Sequence, residues 1–346
     1  MEIKRLRIDW IDYQGEGSTI DSFISSTQSE LLGWKIYFNE PIPEAEAWFV
    51  IEGSSLNVQE MSVPEGMLFF GTGDTIWEPE FYNKNKWRLE FLKQFSRIYS
   101  CHQINLPNSE NEIPFHHWMI NSNTGFNSLS NHERNYDFLI NLEPPVKSKE
   151  ISVICSTKSF TPHHARRLEF VEGLKKHFGE RLDWFGNGRM PVREKWEALI
   201  DYRYTIAIEN KVRHNVITEK ILDPFLTFTF PIYSGAPNIE DYFNPSSFLS
   251  IDIEDLDGSI EKIEKLLKES TKMSSLDLMR TERRKVLNDY NFVQRIVGIA
   301  EQQFAGKQSL NYKQTFVIPM SNYQPLKSMI YDRLRSGFSR ILKFIR

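Results

Sequence analysis

The chain has 346 residues, 40% of them hydrophobic and 25% charged, which is ordinary globular usage and excludes a disordered or fibrous protein. At about 100–200 residues per domain, the length predicts two domains. A net charge of −4, from 42 basic and 46 acidic side chains, argues against a nucleic-acid partner. Two cysteines, Cys101 and Cys155, cannot build a disulfide framework and suit a reducing cytosol. The Met1–Asp9 run is neither a signal peptide nor an anchor, and no window reaches the ~18 apolar residues of a spanning helix.

Short apolar runs ended by Gly, Asn, Pro or charge predict strands at Leu6–Ile11, Trp34–Asn39, Ala47–Ile51, Met67–Gly71 and Ile98–Cys101. Trp87, Phe91 and Phe95 recur every four residues and predict a helix over Asn83–Phe95. Residues 103–135, rich in Asn, Ser and His, read as loops. Pro144-Pro145 and a charged flank mark 141–150 as a linker. The domains expected are therefore 1–145, 151–310 and a tail, 311–346.

After the linker, strand and helix alternate. Strands are predicted at Ile151–Cys155, Leu182–Phe185, Tyr204–Ile208, Pro231–Tyr233 and Phe248–Ile251. Helices are predicted at His164–Phe178, Val192–Asp201, Thr218–Thr227, Ile239–Phe243 and Ile260–Glu269. That rhythm belongs to a parallel sheet covered by helices, which binds ligands outside the carboxyl ends of its strands. In 326–346, six basic residues stand against one acid, beside an apolar stripe from Leu326 to Ile345 at helical spacing. This basic amphipathic helix fits a peripheral contact with an anionic membrane and equally a terminal helix packed on the body.

The chemistry concentrates in Ile208-Glu209-Asn210, Val216-Ile217-Thr218-Glu219-Lys220-Ile221 and Pro231-Ile232-Tyr233-Ser234-Gly235. A buried strand ends in the polar pair Glu209-Asn210. Thr218 is placed to cap the next helix, with Glu219 and Lys220 in its first turn. Lys opposes the helix dipole there, and a bound anion is a reason to place it so. A second strand ends in a Gly turn at the same edge. On the residues alone this is a plausible nucleotide-diphosphate site, while Glu209 and Asn210 equally suit a satisfied strand-end network and Lys220 an exposed helix lysine.

These blocks, with Tyr242-Phe243-Asn244-Pro245 and Ser247-Phe248, resemble in order and spacing the signature of the α1,3/4-fucosyltransferase family over about residues 150–255. The resemblance implies an α/β protein of the GT-B fold: two Rossmann-like domains facing across a cleft, the nucleotide-sugar in the second. It implies inverting transfer of fucose from GDP-fucose to a glycan hydroxyl, of α1,3 type, by a bacterial-type cytoplasmic enzyme, at the inner face of the membrane if the tail engages it. Lys220 resembles the family lysine on the donor diphosphate, Glu219 the glutamate holding the donor ribose, and Arg167 the arginine on phosphate, a role Arg166 could exchange with it. Glu209, Asn210, Thr218, Tyr233 and Gly235 resemble donor-site residues.

Val216 stands where the family has an aromatic ring, so the same fold with another nucleotide-sugar is an alternative, as is a non-catalytic glycan-binding relative. Lys211 stands where a small hydroxyl residue is usual. For the base, Glu78 in Trp77-Glu78-Pro79 and Asp74 in Gly71-Thr72-Gly73-Asp74 each match a family context, and Glu78 is preferred. Cations can stabilise the leaving diphosphate, so no cofactor is required, and a divalent metal is optional. The pairs His116-His117 and His163-His164 lack metal-ligand spacing and read as surface or loop histidines.

Overall fold

The structure, a computed structural model, describes residues 3–10, 30–52, 57–72, 83–115, 118–121, 134–157, 162–269, 276–307 and 309–325. Its first half holds β1 (Lys4–Trp10), β2 (Glu30–Leu31), β3 (Trp34–Phe38), β4 (Ala47–Ile51), β5 (Gln59–Pro64), β6 (Leu68–Gly71), α1 (Lys86–Leu92), β7 (Arg97–Ser100), β8 (Ser109–Asn111) and α2 (Tyr136–Ile140). One sheet runs β2-β3-β1-β4-β6-β7-β8, parallel except for β2 against β3. All five residues of β4, Ala-Trp-Phe-Val-Ile, are buried. Such an unbroken apolar run needs neighbours on both sides and cover on both faces. Within the expected 103–135 loops, the structure forms β8, three residues paired to β7.

The second half holds β9 (Lys149–Ile154), α3 (Pro162–Phe178), β10 (Leu182–Phe185), β11 (Tyr202–Ile208), α4 (Glu219–Leu226), β12 (Phe230–Ser234), β13 (Leu249–Ser250), α5 (Leu256–Lys268) and α6 (Leu276–Leu287). Its sheet, β10-β9-β11-β12-β13, is parallel throughout. The helix expected at Val192–Asp201 is only a 3-10 turn, Lys195–Ala198. Trp196 N–H donates outside the segment, to Ile120 O at 2.9 Å, so a tertiary bond replaces a helical one.

Residues 142–148 carry neither helix nor strand. They are not loose: Lys147 Nζ donates to Ile200 O (2.8 Å), Thr227 O (2.7 Å) and Thr229 Oγ1 (3.0 Å) beneath the second sheet.

The chain then returns. Phe292, at the start of α7 (Phe292–Ala305), lies 5.6 Å from the ring of Trp10 and 6.3 Å from that of Phe38. Phe304 meets Trp34 edge-on at 5.5 Å. Glu301 accepts from Trp34 Nε1 at 2.6 Å and pairs with Lys4. β14 (Tyr312–Val317) then pairs antiparallel with β5. So the expected second domain, 151–310, yields its last helix to the first sheet, and the expected tail, 311–346, opens as a strand of the first half. The amphipathic helix predicted in 326–346 lies outside the described residues. No described helix is long and apolar enough to cross a membrane.

Candidate active site

β9, β11 and β12 are adjacent and parallel, so their carboxyl ends gather Cys155, Glu209-Asn210 and Gly235 at one edge. α3 packs over this edge through Arg167, Phe170, Val171, Leu174 and Phe178, a helical stripe whose first member is an arginine. That periodicity separates the two arginines. Arg167 continues the buried stripe and points its head at the sheet edge, where Nη1 donates to Asn210 Oδ1 at 2.6 Å. Arg166, one position around, is exposed and bound to Glu254. Arg167 is 7% exposed, and its Nε is buried without a hydrogen-bond acceptor among the described residues.

Thr218 caps α4, as its position predicts, its hydroxyl accepting from Lys220 N at 3.4 Å. Glu209, 1% exposed, accepts from Thr218 N (2.9 Å) and Thr218 Oγ1 (2.7 Å). Its carboxylate thus serves the positive end of α4 and is the satisfied strand-end group that the residues alone allowed. Lys220 Nζ reaches Glu219 Oε1 at 3.0 Å, Thr218 Oγ1 at 3.2 Å and Glu209 Oε2 at 3.7 Å. Burial disfavours the Lys220 ammonium, but Glu219 and Glu209 outweigh it and raise its pKa. Burial pushes the Glu209 carboxyl up, against the pull of Lys220.

Val216 is fully buried. Tyr233 is buried too, and its hydroxyl accepts from Ala236 N at 2.9 Å, supporting the turn from below. Gly235 is an approach point: a Cβ there would lie 2.5 Å from Glu209 Cγ and 2.2 Å from Tyr233 Oη.

The edge also collects groups that the sequence did not announce. His163 Nε2 lies 3.1 Å from Glu209 O. His164 bonds Asn210, and burial, then Arg167, lowers it to about 4, so the ring is neutral. Cys155 faces Arg167, with its thiol pushed up by burial. Lys195 Nζ reaches Glu219 Oε1 at 3.4 Å and Asp223 Oδ2 at 3.7 Å. Metal spacing gives the two histidines no role, yet the first turn of α3 abuts the end of β11. That adjacency is the signal that could have found them.

Glu78 and Asp74, the two candidate bases, lie outside the described residues. Glu52, just past β4, is a described carboxylate at the carboxyl edge of the first sheet. It has φ +61° and accepts from Thr72 Oγ1 at 2.7 Å.

Contacts between the two halves join the two carboxyl edges. Arg213 Nη1 meets His102 Nδ1 at 2.7 Å, and Asn215 Nδ2 donates to Asn111 Oδ1 at 3.0 Å. Asn215 has φ +63°, a conformation Asn tolerates, and is clamped by Asn238 and Tyr242. Beside this bridge is an open cavity of about 400 Å³ lined by His102, Gln103, Ile104, Ser109 and Asn111. A larger one, about 540 Å³, lies apart on the flank of β10 and α3, where Arg189 covers the Trp184 ring at 3.9 Å. Among the described residues no group of three or more His, Cys, Asp or Glu side chains could hold a metal ion.

Residues 145–276 match the model of the glycosyltransferase family 10 (fucosyltransferase) C-terminal region. An α-(1,3)-fucosyltransferase of Helicobacter pylori is 37% identical over 76 residues, 22% of this chain and 16% of that protein. An α-(1,4)-fucosyltransferase of Arabidopsis thaliana is 27% identical over 141 residues, 35% of this chain and 34% of that protein. The chain thus spans between 16% and 34% of the length of these relatives. A crystal structure of an α1,3-fucosyltransferase with GDP-fucose aligns over 89% of this chain and 91% of its own, at 16% identity and a TM-score of 0.47.

Proposed function

We propose that the chain, whose residues 145–276 match glycosyltransferase family 10, transfers L-fucose from GDP-fucose to a hydroxyl of a glycan, with inversion and of the α1,3 type. The observation that carries this reading is the meeting of Arg167, whose buried Nε–H lacks an acceptor among the described residues, and Lys220 at the N-terminus of α4, on the carboxyl edge of a parallel sheet. That is where a phosphate finds two cations and the positive end of a helix dipole together. Glu219 beside Lys220 is the candidate contact for the donor ribose.

The acceptor oxygen attacks the anomeric carbon from the face opposite the diphosphate. A carboxylate of the first half, Glu78 or Asp74, takes the hydroxyl proton. The anomeric carbon–oxygen bond to the diphosphate breaks, and the charge that grows on the leaving oxygens falls to Arg167 and Lys220. One base suffices because no sugar–enzyme bond is needed, and the cations do the work a divalent metal would do.

A thermal-shift panel of nucleoside diphosphates tests the donor. GDP at a hundred times its dissociation constant adds about 2.7 kcal/mol of stability; stabilisation by UDP and not by GDP rejects GDP-fucose. The valine at position 216 favours one second reading: with no ring there, the same fold would take a different nucleotide-sugar. Turnover across several nucleotide-linked sugars separates the two. The proposal places the enzyme in the cytoplasm, with the +5 tail, 326–346, on an anionic membrane face. Removing that tail is expected to abolish binding to anionic liposomes and leave transfer to a free acceptor intact; retained liposome binding rejects the anchor.

A further inference from the structure

Glu219 Oε1 sits between two ammonium groups: Lys220 Nζ at 3.0 Å and Lys195 Nζ at 3.4 Å. The two lysines are not equivalent. Lys220 lies in the first turn of α4, beside Arg167, where a diphosphate would draw it away from Glu219. Lys195 comes from the 3-10 turn Lys195–Ala198, outside α4. Its second partner is Asp223, at 3.7 Å, and Asp223 lies one turn after Glu219 on the same face of α4, so one ammonium spans both carboxylates.

Asp223 is itself fixed, accepting from Met119 N at 2.8 Å. The turn that bears Lys195 is fixed too. Trp196 N–H donates to Ile120 O at 2.9 Å, Glu194 pairs with Arg134, and the Arg134 guanidinium lies 4.9 Å over the Trp196 ring. Segment 118–121 therefore braces both ends of the Lys195–Asp223 pair. The side chains are 15% and 4% exposed, which limits screening by solvent and salt.

We propose that Lys195 is a positioning residue for the donor: held by Asp223, it keeps the Glu219 carboxylate aimed at the nucleotide ribose when the diphosphate claims Lys220. The inference rests on the reading of Glu219 as the ribose contact. A lysine that only stabilised the fold would weaken every nucleotide alike, whereas this one sets discrimination at the ribose hydroxyls.

The test is calorimetric titration of the full chain with GDP and with its 2′- and 3′-deoxy analogues. Wild type is expected to prefer GDP over at least one analogue, and Lys195→Met to cut that preference about tenfold, the scale of a charge-assisted hydrogen bond pulled out of its geometry. Lys195→Arg should restore most of it. In a Glu219→Gln background, Lys195→Met should cost nothing further, because the lysine acts through that carboxylate. A folded Lys195→Met protein with wild-type preference overturns the inference, and so do additive losses in the double variant. Should Lys195→Met not fold, Asp223→Asn keeps an acceptor for Met119 N and removes the anchoring charge; unchanged preference in that variant overturns the inference equally. Failure of the donor reading itself is visible in wild type alone, as absence of GDP binding or absence of ribose discrimination.

Discussion

At the carboxyl edge of the second sheet, Arg167, Lys195 and Lys220 interleave with Glu209, Glu219 and Asp223. At the facing edge of the first, the cavity beside the bridge is bordered by imidazole, hydroxyl and amide groups of His102, Ser109, Gln103 and Asn111. Buried cations need carboxylates to hold them, which is the pairing seen at the edge of the second sheet. On the proposed reading, an edge that receives a glycan hydroxyl needs hydrogen-bond partners and one base. The first sheet keeps its buried ion pair below that surface, with Arg7 Nε 3.0 Å from Asp9 Oδ1 and Trp48 Nε1 capping Asp9 Oδ2 at 2.8 Å.

The contrast is broken most severely by exchanging effects between the two edges. Glu78→Gln and Asp74→Asn, made separately, are expected to leave GDP affinity intact while one of them lowers kcat about 10²–10⁴-fold. Lys220→Ala is expected to lower GDP affinity and to lower kcat/KM about 10²–10³-fold. Steady-state kinetics with GDP titration checks both. If neither carboxylate variant is impaired, the proton-transfer assignment fails. If Lys220→Ala binds GDP normally, the anion site is elsewhere.

A smaller effect probes the packing that holds the charged edge. Gly235→Ala places a methyl 2.5 Å from Glu209 Cγ. Overpacking of this kind costs about 1–3 kcal/mol. A lowered Tm with weakened GDP binding is expected; an unchanged Tm would mean that the turn relaxes freely.

The smallest effect is a slope. Burial, opposed by Lys195, pushes Asp223 up to about 7, whereas in the unfolded chain it titrates near about 3.9. Between those values the folded protein keeps a proton that the unfolded chain has released, so this group's contribution to stability falls as pH rises through that window and is level above it. Asp223→Asn should therefore flatten the fall in Tm from about pH 4 to 7 relative to wild type. Parallel Tm profiles for the two proteins would remove Asp223 from the account.

The second sheet is legible in the sequence because its strands are short apolar runs with helices between them, and Ala47–Ile51 shows the same legibility in the first. The motif at 208–220 is legible because the end of β11 and the first turn of α4 are close in sequence as well as in space. Lys195 is not, since it comes to Glu219 across 24 residues and only after Trp196 has docked on Ile120. The pairing of β5 with β14 is hidden for the same reason: their register joins residues about 250 apart, and neither strand carries a strong alternating pattern. At 192–201 the apolar residues have helical spacing, but their burial is achieved by a turn.

α7 has a practical consequence for anyone who wishes to divide this polypeptide. A fragment ending near residue 145 would bare Trp10, Trp34 and Phe38, which Phe292 and Phe304 cover, and would leave Lys4 without Glu301 and β5 without β14. The two lobes are therefore not cassettes to be swapped between homologues at the proline linker. A chimera that takes its second lobe from elsewhere must also carry over residues 292–317 with the first lobe, or its hydrophobic underside will drive it to aggregate.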